Sequence, residues 1–263
     1  MGRSHNDVYD RIDQLVVNLW VVAVIGIGIG FLGGLLGKGG SAIATPLLHA
    51  VGVPAIIAVA APLPATIPST MVAGYVYSKE GLVDWRVVRW SVAFGVPATV
   101  VGALLTHWVS GGVLVKVTDL VLVGLGLRLL LSKSAESETV QPAGPSSTLL
   151  LASVAVVVGL ASGLLANSGG FLLAPLYISV LRLPIKAAFA NSFAVASVLA
   201  IPGTVVHASL GHIDWTLVAV FGSTSVPLSF IGARVALRTD AHLLEQIYGS
   251  VLVVLGGAFL VVH

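Results

Sequence analysis

A lysine stands inside a glycine cluster, GLLGKGGSAIATPLL over 34–48, with about twenty apolar residues before it and about a dozen after it. Lys38 supplies a fixed positive charge. Gly39 and Gly40 let a ligand approach the backbone closely. Ser41 opens the apolar run that follows, where a helix N-terminus aims free N–H groups at an anion. A second cluster, Asn167, Ser168, Gly169 and Gly170, sits in the same kind of surroundings, and Asn191 and Ser192 add an amide and a hydroxyl further on. Together these types suit an oxygen-rich anion. The competing readings are structural. Lys38 can snorkel to a membrane surface, glycines can serve close helix packing, and Asn191 and Ser192 can hydrogen-bond between helices.

The elements that hold these residues are membrane helices. The chain is 57% hydrophobic and only 9% charged, against roughly 25% charged in a soluble domain. Ten apolar stretches can be read: 15–36, 42–53, 55–77, 87–105, 113–131, 149–165, 171–181, 185–206, 217–237 and 243–262. Eight approach the length that crosses ~30 Å of hydrocarbon. The second and seventh, 12 and 11 residues long, would reach only ~18 Å as helices. None alternates with period two, so the spans read as helices rather than barrel strands.

A net charge of +2 implies no nucleic-acid partner, and the absence of cysteine excludes thiolate metal sites and disulfides. The spans carry no His-Glu-x-x-His, paired-aspartate or Gly-x-Ser-x-Gly pattern, and there is no Walker sequence. An enzyme is therefore not expected, nor is a cofactor. The tail at 1–14 lacks a signal-peptide cleavage pattern, and Asn6 takes the Ser/Thr place of a myristoylation signal.

The chain repeats itself. GFLGGLLGKGGSAIATPLL from Gly30 aligns with GLASGLLANSGGFLLAPLY from Gly159 at an offset of 129. At an offset of 130, Pro54 pairs with Pro184, Gly81 to Trp85 with Gly211 to Trp215, Pro97 with Pro227, and Gly102 with Gly232. The expected organisation is a tail at 1–14, repeat 1 at 15–131, a Ser/Pro/Glu-rich linker at 132–148 and repeat 2 at 149–263. The fold class is all-α and polytopic. Each repeat has four long helices and one half-length helix, which forms a hairpin with a glycine-rich tip.

Charge decides between two arrangements. If the half-helices add no crossing, the repeats are parallel and Lys and Arg divide seven to five across the membrane. If each half-helix returns to the side it came from, the repeats are inverted and the division is nine to three. The positive-inside rule prefers the inverted arrangement, with both termini outside. The two tips then meet near the midplane, as in inverted-repeat transporters.

Other polar residues read more simply. Asp84 and Asp214 precede Trp85 and Trp215 and read as helix N-caps beside interfacial anchors. Pro62, Pro64 and Pro68 crowd one helix whose counterpart has only Pro202. That helix is expected to break there, and it is the best hinge in the chain. His207, which aligns with Tyr77, is a gate or proton-site candidate.

The two glycine turns, each followed by Pro-Leu, and the two V/I-D-W segments resemble the sulfite exporter TauE/SafE family of bacterial transporters over nearly the whole chain. Lys38 and Asn167 stand where the family pattern has an apolar residue. The resemblance implies a multi-pass protein of the bacterial cytoplasmic membrane that moves a small sulfonate- or sulfite-type anion, with no further partner than substrate and lipid. A passive anion channel is the alternative, and homo-oligomerisation stays open. The substrate-facing residues are then Lys38, Gly39, Gly40, Ser41, Asn167, Ser168, Gly169, Gly170, Asn191 and Ser192.

A lysine at mid-helix depth costs about 2.5–3.5 kcal/mol on insertion scales, which a bound anion would offset. Lys38→Met is expected to weaken binding of a small sulfonate or sulfite to the purified protein at least tenfold, about 1.4 kcal/mol. Unchanged affinity would assign the lysine to snorkelling.

Overall fold

The structure, a computed structural model, describes residues 19–37, 41–105, 146–164, 168–209 and 211–262, with isolated positions between 120 and 131. The N-terminal tail, Lys38, Gly39, Gly40, Lys116, Asp119, most of the linker and Asn167 lie outside the described residues. Ten helices are defined in full: α1 Leu19–Leu35, α2 Ser41–Ala50, α3 Ala55–Ala60, α4 Pro62–Lys79, α5 Trp85–Leu105, α6 Ser146–Leu164, α7 Gly170–Ser179, α8 Ile185–Ser209, α9 Trp215–Arg238 and α10 Ala241–Val262. No strand occurs among the described residues. By length and composition α5, α8 and α9 are long and apolar enough to cross a membrane. The outward faces are apolar, as lipid contact demands: Trp20, Val24, Leu104, Leu149, Val157, Val205 and Val254 are all exposed.

Local chemistry sets the helix starts. Asp214 Oδ1 accepts the N–H groups of Thr216 and Leu217 at 2.8 and 3.1 Å, and Asp84 Oδ1 takes those of Arg86 and Val87 at 2.8 and 3.4 Å. These bonds satisfy orphan donors at the first turns of α9 and α5. Trp85 and Trp215 beside them are exposed, as interfacial anchors are.

Small residues then let helices meet backbone to backbone. A Cβ at Gly30 would collide with the Ser225 carbonyl, one at Gly34 with the Ser229 carbonyl, and one at Gly232 with the Phe31 carbonyl. These contacts seam α1 against α9, with the two helices running in the same direction. The seam between α5 and α6 is built alike: Gly159 lies against the Gly95 carbonyl, Gly163 against that of Thr99, and Gly102 against that of Leu160. Without a hydrophobic drive between helices in lipid, such close approach is what holds them together.

The remaining directions follow from contacts. A Cβ at Gly203 would sit 3.7 Å from Leu63 Cδ1, while Tyr77 packs on Phe193 at a ring separation of 5.6 Å. So α4 and α8 are antiparallel. Leu48 of α2 and Val53 beyond it bury with Val22, near the start of α1, and Leu217, near the start of α9. Hence α2 turns back toward the end where α1 began. At the opposite end, Tyr177 of α7 donates to Ser91 Oγ at 2.7 Å, and Arg86 donates to Thr148 Oγ1 near the start of α6 at 3.1 Å. Thus α7 also turns back, from the other direction.

The helix that follows α2 is interrupted: α3 ends at Ala60 and α4 begins at Pro62. Ala61 between them keeps helical dihedrals, φ −62° and ψ −34°, and still donates to Ile57. The break is local because Pro62 and Pro64 bring no N–H to the carbonyls of Ala58 and Ala60. The counterpart stretch is the unbroken α8, 25 residues long.

Gly34→Val and Gly163→Val are expected to lower stability by about 1–3 kcal/mol each through overpacking. Gly28, which has nothing within 4 Å of its Cβ position, should accept valine with little change. Thermal unfolding of the purified protein in detergent reads the difference.

Candidate functional site

The two hairpins converge on one side chain. Ser192 Oγ, fully buried on α8, lies 3.1 Å from the Gly37 carbonyl at the end of the first hairpin's long arm. It lies 3.1 Å from the Gly170 carbonyl at the start of α7 as well. One hydroxyl therefore faces carbonyls from both hairpins and shares its single proton between them.

Backbone conformation at the turns uses glycine. Gly37 has φ +67° and Gly169 φ +71°, the left-handed region that side chains disfavour. A Cβ at Gly37 would also strike the Phe189 ring, and one at Gly169 would come within 2.9 Å of Val158 Cγ1. The Gly169 carbonyl accepts from Leu172 and Leu173, both at 3.0 Å. The N–H groups of Gly170 and Phe171 ahead of them have no intrahelical acceptor by helix geometry. Ser168, Gly169 and Gly170 are buried at this turn, and α2 begins at Ser41. Lys38, Gly39, Gly40 and Asn167 lie outside the described residues.

Asn191 points elsewhere. Its Oδ1 accepts the Asp84 N–H at 2.9 Å, and its Nδ2 donates to the Ala187 carbonyl at 2.8 Å. Its amide thus ties α8 to the turn that starts α5. His207 is remote, fifteen residues beyond Ser192 on α8, about 22 Å at helical rise. There its Nδ1 meets His212 Nδ1 at 3.2 Å, so one imidazole donates and the other accepts. Pro62 is buried, Pro64 half-buried, and Pro68 faces outward.

A group of hydroxyls was not singled out by the sequence reading. Thr66, Ser69, Thr70, Ser225 and Ser229, all buried, line a cavity of about 10 Å³ beside Gly30 and Gly33. Ser69 Oγ donates to the Ala65 carbonyl at 2.8 Å, Thr66 to Pro62 at 2.9 Å and Thr70 to Thr66 at 2.8 Å. Ser229 donates to the Ser69 carbonyl at 3.0 Å. With those protons committed, the wall presents mainly lone pairs, and the volume suits one water rather than a sulfonate. Helical spacing of 66, 69 and 70 with 225 and 229, in otherwise apolar runs, is the signal that could have found it.

Two phenols are also notable. Tyr77 and Tyr248 are buried with no hydrogen-bond partner for either hydroxyl among the described residues. Their rings pack on Phe193 and Phe189, which flank Ser192 along α8.

Helices with apolar outer faces, buried hydroxyls and half-length returning arms define a polytopic helical membrane protein. The chain belongs to the sulfite exporter TauE/SafE family, whose pattern matches residues 22–259. It is 29% identical over 247 residues to a "Probable membrane transporter protein" of Xylella fastidiosa (strain 9a5c), covering 89% of this chain and 92% of that one. It is 24% identical over 247 residues to the "Probable membrane transporter protein YjnA" of Bacillus subtilis (strain 168), covering 89% and 97%. No solved structure matches it significantly.

Ser192→Ala removes the buried hydroxyl that links the two hairpins. It is expected to cost about 1–3 kcal/mol and to speed amide exchange around Gly170. Ser197, whose hydroxyl bonds within its own helix to Ala194, is the control: Ser197→Ala should stay within about 0.5 kcal/mol.

Proposed function

We propose that the protein is a secondary transporter of the bacterial cytoplasmic membrane that moves a small sulfonate- or sulfite-type anion by alternating access. The substrate sits where the two hairpin turns meet, and Lys38 is its counter-ion. The observation that carries this reading is Ser192, whose single hydroxyl faces carbonyls of both hairpins at 3.1 Å. Family membership and relatives named as membrane transporters support the transport part. Asn167, Ser168 and the uncommitted N–H groups at the start of α7 add donors suited to oxyanion oxygens. Pro62 and Pro64 at the α3–α4 break, with Pro68 further along α4, are the hinge.

The mechanism needs inverted repeats, and three observations support them. Equivalent helices α4 and α8 run antiparallel. The seam contacts Gly30–Ser225, Gly34–Ser229 and Phe31–Gly232 become Gly159–Gly95, Gly163–Thr99 and Leu160–Gly102 under the sequence offsets of 129 and 130. Lys79, Arg234 and Arg238 line one cleft, which fits the nine-to-three charge division and not the seven-to-five one. In such a design the two repeats rock against each other and open the central turns to one face at a time.

Uptake of sulfite or a small sulfonate into liposomes carrying the purified protein is expected to saturate with concentration. Flux that rises linearly without saturation would indicate a channel, and no flux of any tested anion would end the reading. Cysteines at Ser78 and Gly211 should label from opposite faces. Labelling from one face would make the repeats parallel.

A further inference from the structure

Three cations crowd one cleft at the ends of α4 and α9. Lys79, Arg234 and Arg238 line it together with Glu80, Tyr75, Val76, Phe230 and Leu237, around a volume of about 490 Å³. Lys79 Nζ lies 4.8 Å from the Tyr75 ring centroid, and the Arg234 guanidinium lies 4.1 Å from that of Phe230. These stacked contacts hold two positive heads at the cleft without neutralising them. No salt bridge ties any of the three cations to a carboxylate among the described residues, and Glu80 is the one carboxylate in the lining. The cleft thus carries a formal excess of two positive charges from three cations and one carboxylate.

Below the charges the surface is apolar and open. On α4, Met71 is 59% exposed and Tyr75 56% exposed, and with Lys79 they recur every four residues, which makes one outward stripe. On α9, Ile231 is exposed one turn below Arg234, which is followed one turn on by Arg238. Two parallel neighbouring helices thus each present an apolar stripe ending in cations at the same membrane face. At the offset of 130, the counterparts of Lys79, Arg234 and Arg238 are Ser209, Leu104 and Trp108. The other half of the chain therefore has no such cluster, and the charges are not a requirement of the helix-ending pattern itself.

We propose that this cleft binds an anionic phospholipid, with the headgroup phosphate between Lys79, Arg234 and Arg238 and an acyl chain along Met71, Tyr75 and Ile231. Basic pockets between membrane helices recognise headgroups of this kind, and guanidinium groups suit phosphate oxygens. The apolar stripes leading into the cleft favour a lipid over a soluble anion, which would have no use for them. Arg234 stands two residues beyond Gly232, where a Cβ would strike the Phe31 carbonyl and crowd the Leu35 nitrogen of α1. A bound headgroup would therefore brace α4 and α9 next to the first hairpin.

The inference needs the membrane setting but not transport, so its test reads binding and stability alone. Thermal unfolding of the purified full chain in neutral detergent is followed with added phosphatidylglycerol or phosphatidylcholine, and lipid retention is read by native mass spectrometry. Phosphatidylglycerol, and not phosphatidylcholine, is expected to raise the unfolding temperature saturably and to stay bound. The combined Lys79→Gln, Arg234→Gln and Arg238→Gln variant should unfold like the wild type in phosphatidylcholine and lose the response. Arg89→Gln, which removes an exposed cation on α5, should keep it. The proposal is overturned by an equal response to both lipids, by a full response in the triple variant, or by inorganic phosphate reproducing the shift without lipid. If the triple variant fails to fold, Arg234→Gln with Arg238→Gln is measured instead, and an undiminished response there also overturns it.

Discussion

A backbone that stops being helical inside hydrocarbon must find its hydrogen bonds within the protein. Two half-length helices here begin after turns within the bundle, and the carbonyls of Gly37 and Gly170 face the one hydroxyl of Ser192. Most of the surrounding arrangement serves that meeting. Phe189 closes on Gly37, leaving no room for a side chain, and Val158 and Ser162 do the same at Gly169. The turns are thus buried in protein on every described side, the condition under which irregular backbone persists at membrane depth.

Close seams of small residues provide the rigidity for this. Glycines on α1 and α6 bring their backbones against α9 and α5, so that dispersion over a long, tight contact replaces the hydrophobic drive missing in lipid. Each long arm of a hairpin is thereby fixed to a full-length helix from the other half of the chain. The two halves are interleaved rather than set side by side, and a shift of one seam would be felt at the hairpin attached to it.

Against this matched framework the two halves differ in chemistry. Where α8 runs unbroken, its counterpart divides at Ala61. Where α4 carries Thr66, Ser69 and Thr70, the corresponding positions are Ala196, Leu199 and Ala200. Prolines that withhold N–H donors and hydroxyls bonded to backbone carbonyls lie together on the same helix, so polarity and local weakness are concentrated in one half.

How much of this was legible in the sequence follows from what each feature depends on. Membrane residence rests on 57% hydrophobic residues and long apolar runs, a property of composition that no packing can alter. The Asp84 and Asp214 caps, the glycine turns and the interruption at Pro62 and Pro64 depend on neighbours a few residues away, so local chemistry announces them. The partners of Ser192, the engagement of Asn191 with Asp84, and the hydroxyl cavity between 66–70 and 225–229 were not legible. Each joins residues far apart in the chain, and Asn191 and Ser192 are adjacent yet face different elements. An amide or hydroxyl in an apolar run looks the same whether it serves a substrate, a carbonyl or a cavity. Sequence alone determined that the chain lies in the membrane as a set of apolar helices. Only the tertiary structure decided which polar atoms meet, because a side chain's direction on a helix acquires meaning from the helix packed against it.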